Sequence, residues 1–465
     1  MSAAPPHGQA DHTAEVSLGL PRRSLSTLDA VVLIVGLVLG VGIFRAPQLV
    51  AANSGSGTMF IGLWLLGGLV SLVGALCYAE IATAYPNTGG EYHFLSRAFG
   101  RPVGFLFAWS RMTVLQTGSL AILAFVFGDF AAPLLPFGAG ASPFLAAATV
   151  VVLTAVNLAG LRQARGTQYV LTAAVVVGLL AVILAGMVVA GRADTEAGEA
   201  ISTGVPTIGL AMVFVLLTFG GWSEAAYLSA EVRDGRRGIS RALLWGIGSI
   251  TLLYVAANLA YLWGLGVGGI AASATVAADL VSSVVGEWGG VVISLFVLVA
   301  ALSSANATII TGARSNYALG RDWGLFAWMG AWRDKDSAPT YALLVQGGIA
   351  LVLVVFGAMA RGGFEAMVAY TAPVFWSVLL LTGIAVMVLR RREPGTTRPF
   401  RVPLYPVTPV LFCATSAFML YSSVSYAGSG AWLGVAVMLA GVPLLWIAQP
   451  RPHASVGPPS SPSPS

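Results

Sequence analysis

Charge is scarce in this 465-residue chain. Asp, Glu, Lys and Arg make up 9% of it, and Lys335 is the only lysine among 24 basic residues. Soluble domains carry about a quarter charged residues, so a soluble fold is excluded. Cysteine is scarcer still. Cys77 and Cys413 lie in apolar stretches far apart in the chain, where they read as small buried hydrophobes. Their spacing offers neither a metal-ligand nor a redox pair. Of four histidines, His7 and His12 fall in the N-terminal tail, and His93 and His453 read as loop or solvated residues. No His/Cys/carboxylate cluster exists, so no metal and no cofactor is expected.

Apolar residues fill the gap, at 57% of the chain and a mean hydropathy of +0.83. A spanning helix needs roughly 20 such residues. The sequence divides into twelve runs: 26–50, 57–83, 102–128, 143–161, 167–190, 206–230, 240–264, 286–312, 338–359, 366–389, 405–425 and 429–448. Charge placement supports that division. With the N-terminus inside, only Arg192 and Arg361 fall in outer loops and only Arg45 and Arg111 within spans. The remaining basic residues are all cytoplasmic, as the positive-inside rule requires. The pI near 9.4 therefore reflects topology. Basic residues spread over six loops and tails form no single face, so a nucleic-acid partner is excluded.

Residues 1–24 are polar, carry no apolar core and read as a disordered cytoplasmic tail, not a signal peptide. Residues 449–465 end in Gly-Pro-Pro-Ser-Ser-Pro-Ser-Pro-Ser and read as a second disordered cytoplasmic tail. Between them, 25–448 forms one transmembrane domain. Glu91 to Phe99 is a short amphipathic segment at the inner surface, 264–285 a helical outer segment, and 313–337 a long inner connection.

Two spans are interrupted midway by glycines. Gly40-Val41-Gly42-Ile43-Phe44 breaks the first, and Phe219-Gly220-Gly221-Trp222-Ser223-Glu224 the sixth. Lipid offers no partner for a bare N–H or C=O, so unwound backbone is tolerated only inside protein or against a cavity. Paired breaks at corresponding places in two halves mark a substrate site near the midplane of a transporter. If they correspond, the chain divides as five plus five spans with two more at the end. An odd number per repeat forces the second copy to be inverted.

The stretch Gly40-Val41-Gly42-Ile43-Phe44-Arg45-Ala46-Pro47 resembles the span-1 motif of the amino acid–polyamine–organocation superfamily. That superfamily includes bacterial amino acid permeases and L-type amino acid transporters. Further matches follow in the family's order. They are Tyr78-Ala79-Glu80-Ile81, Pro86-x-x-Gly89-Gly90-Glu91-Tyr92, Phe219-Gly220-Gly221-Trp222, Glu231-Val232-Arg233-Asp234 and Arg314-x-x-Tyr317-Ala318-x-x-Arg321-Asp322-Trp323-Gly324. The resemblance implies an all-α integral membrane protein of twelve spans. Its fold would be the leucine-transporter-type 5+5 inverted repeat, with spans 1 and 6 discontinuous and two C-terminal helices added. Alternating access for a zwitterionic amino acid is implied with it.

Physics agrees with that implication. An unwound span presents free N–H groups at the positive dipole end of its outer half, suited to a carboxylate. Gly40, Val41, Gly42 and Ile43 would supply this part of the site. Carried over from the family, the carbonyls near Val38, Leu217 and Gly220 suit the ammonium, with Gly221 beside them. Phe219 and Trp222 would form part of the side-chain pocket or gate. The sequence also departs from the family. Val175 stands where some sodium-independent relatives carry a span-5 lysine, and Gly235 and Ser240 replace two loop prolines. Leu217 replaces a gating aromatic.

An ionisable group within a span costs at least about 2.5–3.5 kcal/mol on insertion scales, so it faces a cavity or a partner. Glu224, Arg111 and Arg45 are therefore coupling or gating candidates. Glu224 reads either as a proton-coupling or amine-sensing carboxylate, or as half of an ion pair with Arg111 or Arg45. Glu80 reads as an anchor to cytoplasmic loop groups. Ser303, Ser304 and Asn306 lie near where sodium-coupled relatives place hydroxyl ligands. The expected function is secondary active amino acid transport, of neutral or broad-range amino acids, by proton symport or exchange. A cationic amino acid or polyamine transporter, and a non-transporting sensor, remain as alternatives. An enzyme would need a nucleophile and base or a metal cluster, and Glu224 has no such partner. The expected site is a bacterial cytoplasmic membrane.

Overall fold

The computed structural model describes residues 26–87, 89–136, 138–159, 165–190, 205–223, 235–330, 339–360, 362–426 and 428–448. Every element among them is helical. Among the described residues, eight helical runs are long and apolar enough to cross a membrane, with four shorter apolar helices beside them. The first span is two helices, α1 (Thr27–Val38) and α2 (Gly42–Ala52). There follow α3 (Gly57–Ala84) and the short amphipathic α4 (Glu91–Phe99). Next, α5 (Arg101–Ser110) and α6 (Gln116–Ala131) form one rod, joined by a π-turn at Arg111–Leu115. After these come α7 (Ser142–Leu158), α8 (Arg165–Val188) and α9 (Val205–Thr218).

The second part begins with α10 (Gly235–Ala272), kinked where Gly266 takes φ 66°. Then come α11 (Val276–Val285), α12 (Glu287–Asp322), α13 (Thr340–Met359) and α14 (Gly363–Arg392). The last are α15 (Val407–Tyr426), α16 (Ser429–Leu439) and α17 (Gly441–Ile447).

Two boundaries differ from the sequence reading. The connection expected at 313–337 is helical as far as Asp322 and is followed by a 3₁₀ segment, Gly324–Gly330. Polar Arg314 to Asn316 end the apolar run without ending the helix, because Asn316 is buried against the bundle. The last apolar run is divided at Ala440, where Pro443 lacks the N–H that would bond the Leu439 carbonyl.

The two ends of the bundle are chemically distinct. At the basic end, Glu80 at the close of α3 accepts two bonds from Arg390 at 2.5 Å and one from the Val402 N–H at 2.7 Å. Arg97 of α4 pairs with Glu393 at 2.8 Å. At the opposite end, Arg45 of α2 bonds Asp129 of α6 at 3.2 Å and Glu365 of α14 at 3.1 Å. Large apolar side chains such as Leu252, Trp288 and Trp446 project from the outer surface. Such a surface is an aggregation liability in water and is at home in lipid.

Candidate functional site

The site is built from the two interruptions. Leu39 closes the last turn of α1 on the Val35 carbonyl at 2.8 Å, and Phe44 starts α2 on Val41 at 3.0 Å. Between them the N–H groups of Gly40, Val41 and Gly42 find no backbone acceptor among the described residues. They stand at the N-terminus of α2, where the helix dipole is positive. In the sixth span, Phe219 bonds Val215 at 3.0 Å and Gly220 then folds back on Leu217 at 2.9 Å. Gly221 takes φ +95°, which glycine adopts without strain. A Cβ at Gly220 would lie 2.7 Å from the Leu217 carbonyl oxygen.

The interruptions meet. A Cβ at Gly42 would lie 3.3 Å from the Cα of Thr218. Behind both, Tyr254 of α10 donates its hydroxyl to the Val38 carbonyl at 3.0 Å, with the Thr218 carbonyl at 3.4 Å. Its ring packs on Phe219 and Trp64 at 5.0 and 6.0 Å between centroids.

A cavity of about 330 Å³ opens in front of the breaks, within the range of small-molecule sites. Val38, Gly40, Val41, Gly42, Leu217, Gly220 and Gly221 line one wall. Gln116 and Ser119 of α6, Ser304 of α12 and Thr371 and Phe375 of α14 line the other. The Ser119 and Ser304 hydroxyls form no hydrogen bond within the described residues, whereas many polar residues in these helices bond back to their own carbonyls. The cavity reaches Glu91 and Arg111 at the basic end and Phe364 at the other. Arg45 lies beyond Phe364, its guanidinium 5.2 Å from that ring, so the Arg45–Asp129–Glu365 cluster stands on that side.

Several residues singled out in the sequence stand elsewhere. Ile43 is wholly buried. Phe219 and Trp222 turn away from the cavity: Phe219 packs on Trp64 and Tyr254, and Trp222 on Tyr78 and Phe412 at 5.2 and 5.9 Å. Val175 is buried on α8 and Ser303 on α12, while Asn306 accepts a bond from Asn157 at 2.6 Å. Arg111 approaches Glu91 at 3.8 Å. Glu224 lies outside the described residues. Cys77 and Cys413 are free thiols. Among the described residues no three His, Cys, Asp or Glu side chains converge as metal ligands.

Tyr254, Asp129 and Glu365 escaped the sequence reading. Asp129 and Glu365 stand one residue outside the runs 102–128 and 366–389, where acids read as loop residues. Tyr254 is one of 13 tyrosines and carries no local mark.

Comparison with known proteins decides what this architecture belongs to. A family profile described as amino acid permease matches residues 25–448. The chain belongs to the amino acid permease family. This permease is 28% identical to the b(0,+)-type amino acid transporter 1 of Mus musculus, over 89% of the chain and 85% of the relative. It is 28% identical to the Asc-type amino acid transporter 1 of Mus musculus, over 92% and 81%. It is 27% identical to the serine/threonine exchanger SteT of Bacillus subtilis (strain 168), over 94% and 98%. The permease is thus a multi-pass membrane transport protein and not an enzyme.

Proposed function

We propose that this permease is a secondary active transporter that carries amino acids by alternating access, holding the substrate backbone at the breaks of spans 1 and 6. One observation carries the reading: the N–H groups of Gly40–Gly42, which have no backbone acceptor among the described residues, and the Gly220–Gly221 turn bound the same cavity. The helix dipole there suits a carboxylate. Val38, Leu217 and Gly220 line the same cavity, and their carbonyls would receive the ammonium. Ser119, Ser304 and Thr371 favour a neutral side chain of modest size. A relative named as a serine/threonine exchanger supports neutral substrates and exchange.

The positive-inside rule assigns the basic end to the cytoplasm, with both termini there, in a bacterial cell membrane. In that orientation the cavity reaches inward and the Arg45 cluster closes the outside. Twelve spans, a 5+5 inverted repeat and two added helices accommodate the described helices and the two breaks. Residues 25–448 form the transport domain. Transport runs by exchange or by proton symport, with Glu224 the coupling carboxylate in the second case.

Uptake of a labelled amino acid mixture into proteoliposomes tests the reading, with and without an inward proton gradient and with internal unlabelled amino acids. Uptake raised by the gradient and lost in Glu224→Gln makes this a proton symporter. Uptake dependent only on internal amino acid makes it an exchanger. No uptake by folded protein under any condition overturns the proposal.

A further inference from the structure

The cavity has a charged end as well as a break. Glu91 opens α4 and Arg111 opens the π-turn of the third span, and both line the cavity on its basic side. Arg111 Nη1 stands 3.8 Å from Glu91 Oε2. That distance is well beyond the 2.7–2.9 Å of a closed charge-assisted bond. Each group is steadied from behind. Tyr78 donates to Glu91 Oε1 at 3.4 Å, and Arg111 Nε donates to Ser315 Oγ at 3.3 Å. Tyr78 is fully buried and stacks edge-on against Trp222, which fixes Glu91 relative to the sixth span. A π-turn inside a helix is a recurrent feature of functional sites; here its first residue is the cation.

A cation and an anion therefore stand side by side on one cavity wall, on two elements. An α-amino acid carries the complementary pair on a single carbon. A zwitterion entering between Arg111 and Glu91 gives each charge a new counter-ion for the one it loses, so the exchange is close to neutral electrostatically. Other contacts of the two side chains do not alter this, since the substrate needs only the faces they turn to the cavity. A pair that served only to tie α4 to the third span would have no need to line the cavity.

We propose that Arg111 and Glu91 form a second amino acid site at the basic end of the cavity, Arg111 receiving the carboxylate and Glu91 the ammonium. It rests on the reading of this protein as an amino acid transporter, and substrate would occupy it between the central site and the basic face.

Equilibrium binding of tritiated L-serine and tritiated L-leucine to the purified full-length protein tests this. The expected result is two molecules bound per wild-type protein for at least one of them, falling to one in Glu91→Gln and in Arg111→Gln. Arg111→Lys, which keeps the charge, should restore part of the second site. In proteoliposomes, KM measured from the basic face should rise at least fivefold in Glu91→Gln, and KM from the opposite face should stay within twofold. One molecule per wild-type protein overturns the inference without need of any variant, as do two molecules in a monodisperse Glu91→Gln protein. Absence of saturable binding of either amino acid to the wild type overturns the transporter reading itself, and the second site with it.

Discussion

Tyr254 donates its hydroxyl to the carbonyl of Val38 at 3.0 Å, in the last turn before the first span breaks. The Thr218 carbonyl, at the end of α9, lies 3.4 Å from the same oxygen. One proton is thus offered to two carbonyls that helix geometry has left unpaired. Tyr254→Phe keeps the ring against Phe219 and Trp64 and removes only the clasp. The expected cost in stability is about 1 kcal/mol, the net value of one hydrogen bond. The larger effect should fall on substrate affinity, because the break carbonyls lose their fixed position. KM in proteoliposomes should rise at least fivefold; a value within twofold of wild type would remove Tyr254 from the site.

Glycine is required at the second break for a reason that can be isolated. A Cβ at Gly220 would meet the backbone oxygen of Leu217 at 2.7 Å, and backbone cannot rotate away as a side chain can. Gly220→Ala should lower the initial transport rate at least tenfold while folded protein is still recovered. Gly248 on α10 provides the control, since a Cβ there meets nothing within 4 Å. Gly248→Ala should stay within about 0.5 kcal/mol of wild-type stability and transport normally. Equal losses in both variants would mean that general helix packing, not the break, is at stake.

The breaks were legible in the sequence because lipid enforces a strict rule on backbone, and paired glycines within apolar runs stand out against it. Val38, Gly40, Val41, Gly42, Leu217, Gly220 and Gly221 all reach the cavity. Side-chain direction was not legible. Phe219 and Trp222 flank the second break in sequence, yet the turn at Gly220–Gly221 points both rings into the bundle, toward Trp64 and Tyr78. Nor could hydropathy find Asp129 and Glu365, since an acid at the end of an apolar run reads as the start of a loop. Their role depends on three elements converging on Arg45, which is tertiary information.

Arg45 holds the side of the cavity opposite the basic end. Its guanidinium sits between Asp129 and Glu365 and over Phe364, with Gln48 as a further partner. Arg45→Gln leaves two carboxylates without their cation, and their repulsion should loosen the seal. Accessibility measures this directly. With Cys77 and Cys413 replaced, a cysteine at the cavity-lining position Ser119 is exposed to a membrane-impermeant maleimide added from that side. Arg45→Gln should speed labelling at least fivefold. Unchanged labelling would assign the seal to Phe364 and its neighbours alone.

The link between α4 and α14 gives a pH dependence of known sign. Arg97 beside Glu393 holds that carboxyl below the ordinary carboxylate range. A depressed carboxylate stabilises the folded state at neutral pH, and the contribution is lost as pH falls through the lowered value. The pair is largely exposed, so the effect is at most about 1 kcal/mol. Thermal stability of Arg97→Gln should approach that of wild type as pH falls from 7 to 3. A gap that does not narrow as pH falls would mean that Arg97 acts by packing over Tyr85, which its guanidinium covers at 4.8 Å.

Glu80 should carry a much larger share of stability. It is 2% exposed and accepts from Arg390 at two atoms and from the Val402 N–H, with Arg398 at 3.6 Å. One carboxylate thus ties the end of α3 to the end of α14 and to the loop before α15. Glu80→Gln keeps the size but leaves two guanidinium groups facing a neutral amide. Breaking a buried pair by removing one charge costs about 3–5 kcal/mol, and the partial exposure of Arg390, at 18%, places the expected loss near the lower end. The melting temperature in detergent should fall by about 5 °C or more. Replacing Arg398 alone should cost less, because its contact is longer and Arg390 remains. If Glu80→Gln melts within 1 °C of wild type, the anchor is incidental, and the basic end must be held by α4 and by the cation–π contact of Arg390 with Tyr405.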